Sequence, residues 1–309
     1  MVKTRGNLRQ VILACSVCAM FLITGTARAQ SGSSVEEALK QFVGETVKGY
    51  AQPVADLFGA NLNSGFQHSA SIGKNGFHFK FEIIAMGALV GGKQKTYSQK
   101  APDGFEPATF ETATIFGGKA AVVQGTGNSA GLTYRGTADG VIDTPIMPLA
   151  APQITIGDFY GTRAVVRLLP IPKVGDNGFP SGTFWGLGVQ HSISQYLPSL
   201  PVDIAGHVFY SKVTLGDLID ASGISIGVEG GKSFSVLDVF AGVSWEKSSL
   251  KLAYTPTDVN FSPVSIDFDG ANSFRFTVGL GLNLGPISLF GDANFSSVTS
   301  FSAGIGFGG

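Results

Sequence analysis

Residues 273–307 read SFRFTVGLGLNLGPISLFGDANFSSVTSFSAGIGF, three consecutive segments that alternate apolar with small or polar side chains. Phe274, Phe276, Val278, Leu280, Leu282 and Leu284 share one face of a strand, and Arg275, Thr277, Gly279, Gly281 and Asn283 share the other. After Gly285 and Pro286, Ile287, Leu289, Ala293 and Phe295 oppose Ser288, Asp292 and Asn294, and then Phe301, Ala303, Ile305 and Phe307 oppose Ser302, Gly304 and Gly306. One face suits lipid and the other suits water. Strands of about ten residues with this dyad period are what a tilted transmembrane strand requires.

The amino terminus matches that destination. Lys3, Arg5 and Arg9 form a basic region, residues 11–23 an apolar one, and Ala27-Arg28-Ala29 a small-residue cleavage site, so residues 1–29 read as an export signal and the mature chain as starting at Gln30. Both cysteines, Cys15 and Cys18, fall inside that signal. A mature chain without cysteine relies on burial and backbone pairing for its stability in an oxidising compartment. The full sequence has 21 basic and 22 acidic residues; without Lys3, Arg5, Arg9 and Arg28 the balance is 17 to 22, a net of −5. Nucleic acid is therefore not an expected partner. Only 14% of residues are charged, 43 are glycine, and the mean hydropathy is +0.24. No apolar run outside the signal is long enough for a spanning helix, so a chain this apolar is left with a closed sheet to satisfy its backbone in a bilayer.

The expected fold is therefore all-β, a transmembrane antiparallel up-and-down barrel of about 12 strands (10–14) with an N-terminal helical segment. Residues 71–309 supply the barrel. Strand candidates are 77–85, 119–123, 132–141, 154–169, 183–193, 202–215, 223–229, 237–245, 250–254 and 264–268, followed by the final three. Residues 142–152 carry three prolines and are not expected in a central strand. An even strand number leaves both termini on the periplasmic side. Residues 30–70 have helical rather than dyad periodicity: Ser34 and Glu37 fit a capping box, Val35, Leu39, Phe42, Val43, Val47 and Tyr50 recur at helical spacing, and the helix is expected to end or kink before Pro53 and to resume briefly through Val54, Leu57 and Phe58. Asn61-Leu62-Asn63-Ser64-Gly65 reads as a turn. This segment is either a brace beneath the barrel or a plug within it.

The inward charges expected from parity are Arg163, Arg167, Glu229, Glu246, Asp267, Arg275 and Asp292. Mixed signs suggest either interior ion pairs or a selectivity ring. Candidate plug or gate residues are Asn61 and Asn63 in the Asn-rich turn, and His191, Gln195 and Asp203 around Pro198 and Pro201. Tyr196 and Trp185 read as girdle aromatics, and the alternative for the turn is contact with the N-terminal helix. No catalytic residue, cofactor or metal site is expected. A serine two positions after a histidine on one strand would share its face, but His68, His78, His191 and His207 are followed at that spacing by Ala70, Lys80, Ile193 and Phe209. The four histidines show no metal-ligand spacing.

The least generic residues are Gly186-Leu187-Gly188-Val189-Gln190-His191-Ser192-Ile193-Ser194-Gln195-Tyr196-Leu197-Pro198 and Leu200-Pro201-Val202-Asp203-Ile204-Ala205. With Gly161-Thr162-Arg163, Arg167-Leu168-Leu169-Pro170, Leu215-Gly216-Asp217 and the stretch Gly59-Ala60-Asn61-Leu62-Asn63-Ser64-Gly65-Phe66, the chain resembles an uncharacterised family of Gram-negative outer-membrane proteins defined as a domain of unknown function. The resemblance covers nearly all the mature chain and implies an outer-membrane barrel without an established substrate. The architecture is also remotely similar to long-chain fatty-acid and hydrocarbon transporters, although Asn61-Leu62-Asn63 stands where those carry an Asn-Pro-Ala hatch motif.

These readings converge on a plugged outer-membrane channel or transporter for a small apolar solute. The alternative is a non-conducting structural or surface-interaction barrel. Outer-membrane lipids are the expected surroundings, and the C-terminal strand with Phe301, Ile305 and Phe307 is the expected signal to the barrel-assembly machinery.

Overall fold

The computed structural model describes residues 45–173, 180–197, 200–254 and 264–309. The export signal, the Ser34–Glu37 capping box, the helical positions 35–43 and Pro198 lie outside these residues.

One helix, α1 (Glu45–Leu62), precedes β1 (Asn75–Leu89). An insertion follows, with β2 (Thr96–Lys100), β3 (Phe105–Glu106), β4 (Thr109–Ala113), β5 (Val122–Gly125) and β6 (Thr133–Arg135). Then come β7 (Ile146–Phe159), β8 (Thr162–Ile171), β9 (Gly182–Ser192), β10 (Asp203–Leu215), β11 (Ile219–Phe234), β12 (Leu237–Tyr254), β13 (Val264–Asp269), β14 (Phe274–Leu284), β15 (Ile287–Phe295) and β16 (Ser300–Gly308). Strands β1, β7 to β12 and β14 to β16 pair antiparallel in sequence order, and β16 returns to β1 from Lys80–Gly308 to Ala88–Ser300, so ten strands close into a barrel. Strand β13 pairs only with β12 among the described residues.

The count differs from twelve for identifiable reasons. Candidates 119–123 and 132–141 lie in the insertion, where β3, β5 and β6 form their own small sheet. Candidate 154–169 is two strands, because Tyr160 (φ 49°) and Gly161 (φ 70°) make a two-residue turn with both angles positive, the geometry that suits a hairpin's twist. Candidates 237–245 and 250–254 are one strand, β12. Residues 146–152 are strand despite Pro148 and Pro152, since β7 pairs with β1 along that length but with β8 only from Gln153 downward. A proline can occupy a strand where no ladder donor is needed.

Parity sorts the barrel surface as the sequence pattern requires. Phe77, Phe79, Phe81 and Ile83 of β1 and Phe274, Phe276, Leu280 and Leu282 of β14 are exposed outward. Glu82, Gln153, Arg167, Gln190, Glu229, Arg275 and Asp292 are buried inward. An apolar outer face around an interior with this many buried polar side chains is the inverse of a soluble barrel, although the interior around α1 is apolar. Among the described residues no helix is long and apolar enough to cross a membrane. Exposed aromatics gather towards both ends: Phe77, Phe159, Tyr160 and Tyr196 below, Trp245 and Phe274 above. Trp185 packs against Tyr210 on the upper half of β9 and β10, so it and Tyr196 belong to opposite ends rather than to one girdle.

Three inward phenylalanines lie across glycines on the next strand. Phe209 pairs with Gly188, Phe240 with Gly279 and Phe290 with Gly304, and a Cβ on any of these glycines would sit 2.2–2.3 Å from the facing ring. Gly188→Ala should therefore displace Phe209 and cost about 1–3 kcal/mol of overpacking. A lowered temperature for loss of the fast-migrating unboiled band on a gel would register it; an unchanged temperature would mean the ring has room to move.

The two ends of the barrel differ. At the lower end β7 to β8, β11 to β12 and β14 to β15 are joined by two-residue turns, β1 starts and β16 finishes. At the upper end the 90–145 insertion joins β1 to β7. Helix α1 starts at that upper end: the Ile115 N–H donates to the Tyr50 carbonyl, Tyr50 Oη donates to the Asp139 carbonyl, and the Tyr97 ring lies against Gly49. The Ala120 N–H on the Asp139 carboxylate, helped by Arg135, holds that group below the usual carboxylate range. The expectation that both termini share one side concerns, at the N-terminal end, residues outside the described ones. The start of β1 and the end of β16 do share one end, but the chain ahead of β1 rises through the interior and puts Glu45 at the other.

Helix α1 runs unbroken through Pro53, against the expected break there. Pro53 has no N–H, so burying it leaves no orphan donor, and packing outweighs the intrinsic cost of about 3 kcal/mol. Val54, Leu57, Phe58 and Leu62 are buried among Ile84, Met86, Leu149, Phe184, Val213, Leu215, Ile219, Leu250, Phe268 and Phe290. Each such side chain contributes roughly 1.5–3 kcal/mol by leaving water.

Candidate functional site

Residues 63–74 carry the chain from the foot of α1 down through the barrel, and every charged group expected inside except Asp267 and Asp292 meets it or a side chain bonded to it there. Asn61 Nδ2 donates to the Met147 carbonyl at 2.7 Å. Arg275 reaches the helix end with three bonds: Nη2 to the Ala60 carbonyl at 2.8 Å, and Nη1 to the Asn63 carbonyl at 3.1 Å and to Ser64 Oγ at 2.7 Å. Arg167 adds Nη2 to the Ser64 carbonyl at 2.8 Å. Two guanidinium groups therefore face the C-terminal carbonyls of α1, the negative end of its dipole, where a cation is most favourable. Opposite Arg275, Glu246 Oε2 lies 2.9 Å from Nη2, with both side chains buried.

Phe66 is the second anchor. The Arg167 guanidinium lies over its ring at 3.6 Å, Phe209 stacks on it at 4.6 Å with 7° between planes, and His207 stacks on Phe209 at 4.5 Å. One ring from the inner segment is thus inserted between an arginine of β8 and a phenylalanine of β10. His207 Nδ1 bonds Glu229, which also accepts from Gln190, and Gln190 Nε2 in turn reaches the Ser69 carbonyl at 2.9 Å.

Ser225 Oγ lies 3.5 Å from His207 Nε2, so serine, histidine and glutamate follow one another in the order of a hydrolytic relay. Spacing along one strand cannot reveal a pair made across strands, and here Ser225 is opposite Phe209 on the neighbouring strand. All three side chains are buried, with the imidazole against Phe209.

Below the stack lies a cavity of about 240 Å³, lined by residues of β1, β7, β8, β11, β12, β14, β15 and the inner segment. Glu82 on its wall accepts from Gln153 Nε2 at 2.9 Å and Thr155 Oγ1 at 2.5 Å, and lies 3.5 Å from His68 Nε2. Lys80 Nζ donates to Asn283 Oδ1 at 3.2 Å, and Asn283 Nδ2 to Asp238 at 2.9 Å. Arg163 donates to the Ser71 carbonyl at 3.3 Å and lies 3.4 Å from Asp158. Three buried atoms on this cavity, His68 Nδ1, Arg163 Nε and Ser288 Oγ, have no protein partner. Such groups are satisfied by water or by a small polar molecule.

The remaining expected residues divide into two groups. Asp292 is buried between Ser302 and Asn294, whereas Asp267 is exposed on β13 and Phe268 takes the inward position. That correction has a simple cause. From Ser249 to Trp245 on β12 the facing chain runs from Asp269 to Phe274, one residue more, and this bulge reverses parity between β13 and β14. Asn61 and Asn63 are buried beside the helix foot. His191, Gln195 and Asp203 lie at the lower rim, where His191 Nε2 is 3.0 Å from Tyr196 Oη and 2.9 Å from Gln195 Nε2. They meet the strand-entry segment rather than the helix: Ser71 donates to Asp203, and Lys74 Nζ to the Gln195 carbonyl at 3.3 Å. Glu82, His207 and Asp238 were not singled out in the sequence, although the alternation Phe81-Glu82-Ile83 already turns Glu82 inward.

A family model described as a family of unknown function, DUF6588, matches residues 8–309. The chain belongs to that family. No curated protein matches it. Among solved structures, a mutant Rh. blastica porin aligns at 10% identity over 76% of this chain and 99% of its own, with a TM-score of 0.17. The outer-membrane channel DcaP of Acinetobacter baumannii aligns at 9% identity over 77% and 100%, with a TM-score of 0.20. The Ralstonia pickettii toluene transporter TbuX aligns at 11% identity over 82% and 97%, with a TM-score of 0.22. Superpositions this loose carry no functional argument, and the barrel stands on its own pairing.

Proposed function

We propose that this chain is an outer-membrane barrel of a Gram-negative cell, exported by a cleaved signal of residues 1–29, whose lumen is closed by its own N-terminal segment and which passes a small apolar solute when that segment moves. The observation that carries this reading is the passage of residues 45–74 through the barrel from one end to the other. The short-turn end would face the periplasm and the 90–145 insertion the outside, following the usual asymmetry of such barrels. The apolar upper interior, with Ile84, Leu149, Val213 and Leu250, supports an apolar rather than an ionic cargo. On this view Arg167 and Arg275 hold the plug rather than select ions, Asn61 and Asn63 mark its hinge, and the rim residues His191, Gln195 and Asp203 seat its exit. The barrel-assembly machinery would read β16 through Phe301, Ile305 and Phe307.

Single-channel conductance in planar bilayers tests the plug. The full chain is expected to be nearly silent, and a version lacking residues 35–70 to conduct strongly. Insertion of both without conductance in either would favour the non-conducting structural barrel, for which the dense packing around α1 is the supporting observation.

A further inference from the structure

The inner segment does not fill the lower barrel evenly. Below Phe66 it leans on β9 and β10, where the Ser69 carbonyl accepts from Gln190 Nε2 at 2.9 Å and Ser71 Oγ donates to Asp203. The cavity of about 240 Å³ is the space left on the opposite side. It reaches the lower mouth, since Asp158 at the foot of β7 and Ser235 in the β11–β12 turn line it. That volume is many times the roughly 30 Å³ a water takes up in the liquid and falls short of the roughly 300–1,000 Å³ of pockets for drug-sized molecules. The space suits a small polar molecule.

The cavity wall carries charge of both signs, and the opposite charges are held apart. Elsewhere inside the barrel they meet: Glu246 lies 2.9 Å from Arg275, and Glu229 bonds His207. Here Lys80 Nζ donates to Asn283 Oδ1 at 3.2 Å, and Nδ2 of the same amide donates to Asp238 Oδ2 at 2.9 Å. One neutral amide thus stands between an ammonium and a carboxylate that lie within about 8 Å of each other. Asp238 takes its other bond from Ser233, and Glu82 takes two from Gln153 and Thr155, all of them neutral donors. Arg163 lies 3.4 Å from Asp158 and gives its other bond, at 3.3 Å, to the Ser71 carbonyl. A carboxylate offers about four lone-pair sites and an ammonium three N–H groups, so bonding capacity remains on both signs. Arg163 Nε, which only donates, has no partner, and neither has Ser288 Oγ, which takes either role on a residue 5% exposed. An anion alone would face Glu82, Asp158 and Asp238, and a cation alone would face Lys80 and Arg163; like charges in so confined a space repel strongly. A molecule bearing both charges meets a partner for each.

We infer that the lower cavity binds a small zwitterion with an ammonium and a carboxylate a few bonds apart, the head group of a free α-amino acid. Its carboxylate is taken by Lys80 and its ammonium by Asp238, across the Asn283 amide, and Arg163 Nε and Ser288 Oγ supply further bonds. This ligand is distinct from the apolar cargo proposed above. The test is equilibrium dialysis of the detergent-solubilised mature chain against radiolabelled L-alanine, with propionate and ethylamine as probes that keep one charge each. L-Alanine is expected to bind saturably, and each single-charge probe at least about tenfold more weakly. Lys80→Gln and Asp238→Asn should each weaken alanine binding at least about tenfold. Lys212→Gln, which removes a cation 2.9 Å from Asp220 and away from the cavity, should leave it unchanged. Absence of saturable alanine binding overturns the site, as does propionate bound as tightly as alanine. An equal loss in all three variants also overturns it, because diffuse charge would then be the cause. The comparison of the three probes on the wild type decides the matter even where a variant fails to give the fast unboiled band. Dialysis registers no flux: alanine binding by a barrel that stays silent after the plug deletion removes the transport reading alone, and a conducting deletion variant whose parent binds no alanine removes the zwitterion site alone.

Discussion

Replacing Arg275 with Ala is expected to open the barrel to ions and to lower its thermal stability together. Arg275 makes three bonds to the foot of α1 and one ion pair to Glu246, all of them buried. Its removal leaves the Ala60 and Asn63 carbonyls unheld and strands a carboxylate that is about 1% exposed. Breaking a buried pair from one side costs about 3–5 kcal/mol. The measurements are channel openings in planar bilayers and the temperature at which the unboiled band is lost. A companion variant separates the two effects. Arg275→Met with Glu246→Leu removes both charges at similar volume, which is close to neutral for a buried pair, yet it still releases the helix foot. It should conduct like the single variant and melt like the wild type. Silence from both variants would show that the arginine holds the wall together and not the plug.

Phe66→Ala is expected to loosen the inner segment while leaving the barrel closed as a sheet. The ring is 2% exposed and fills the space between the Arg167 guanidinium and Phe209. Truncating a buried phenylalanine costs about 3–5 kcal/mol, and the lost cation–π contact forms part of that sum. A loss of 3 kcal/mol raises the population of the released state roughly a hundredfold. A cysteine placed at Ser69, buried in the intact structure, reports it through the rate of reaction with a water-soluble maleimide. That rate should rise by at least tenfold in Phe66→Ala and much less in Phe66→Leu, while the unboiled band persists. An unchanged rate would mean that the arginine bonds alone anchor the segment.

Much of this was legible before any coordinates because strand parity is a local property. Phe81-Glu82-Ile83 or Phe274-Arg275-Phe276 needs only its neighbours to decide which side chain meets lipid, and the inward positions of Arg163, Arg167, Glu229, Glu246, Arg275 and Asp292 follow directly. Asp267 failed because one extra residue between Asp269 and Phe274 reverses parity, and a bulge leaves no periodic trace in so short a segment. The number of strands, ten within the expected 10–14 rather than twelve, turned on contacts far along the chain: residues 119–141 have strand pattern but fold back on the insertion, and Pro148 and Pro152 are tolerated because β7 there builds its ladder with β1 through its odd residues.

By itself the sequence determined that the chain is all-β with an apolar outer face and a small, polar inner one, and that a helix precedes the first strand, since alternation and helical spacing are set within ten residues. It left open whether that helix lies beneath the barrel or within it, and which partner each inward charge takes. Those were decided only when ten strands joined in one register, because the registers bring Arg275 to Ala60, Arg167 to Phe66 and His207 to Ser225. No local periodicity encodes such contacts, two of which join residues a hundred or more positions apart.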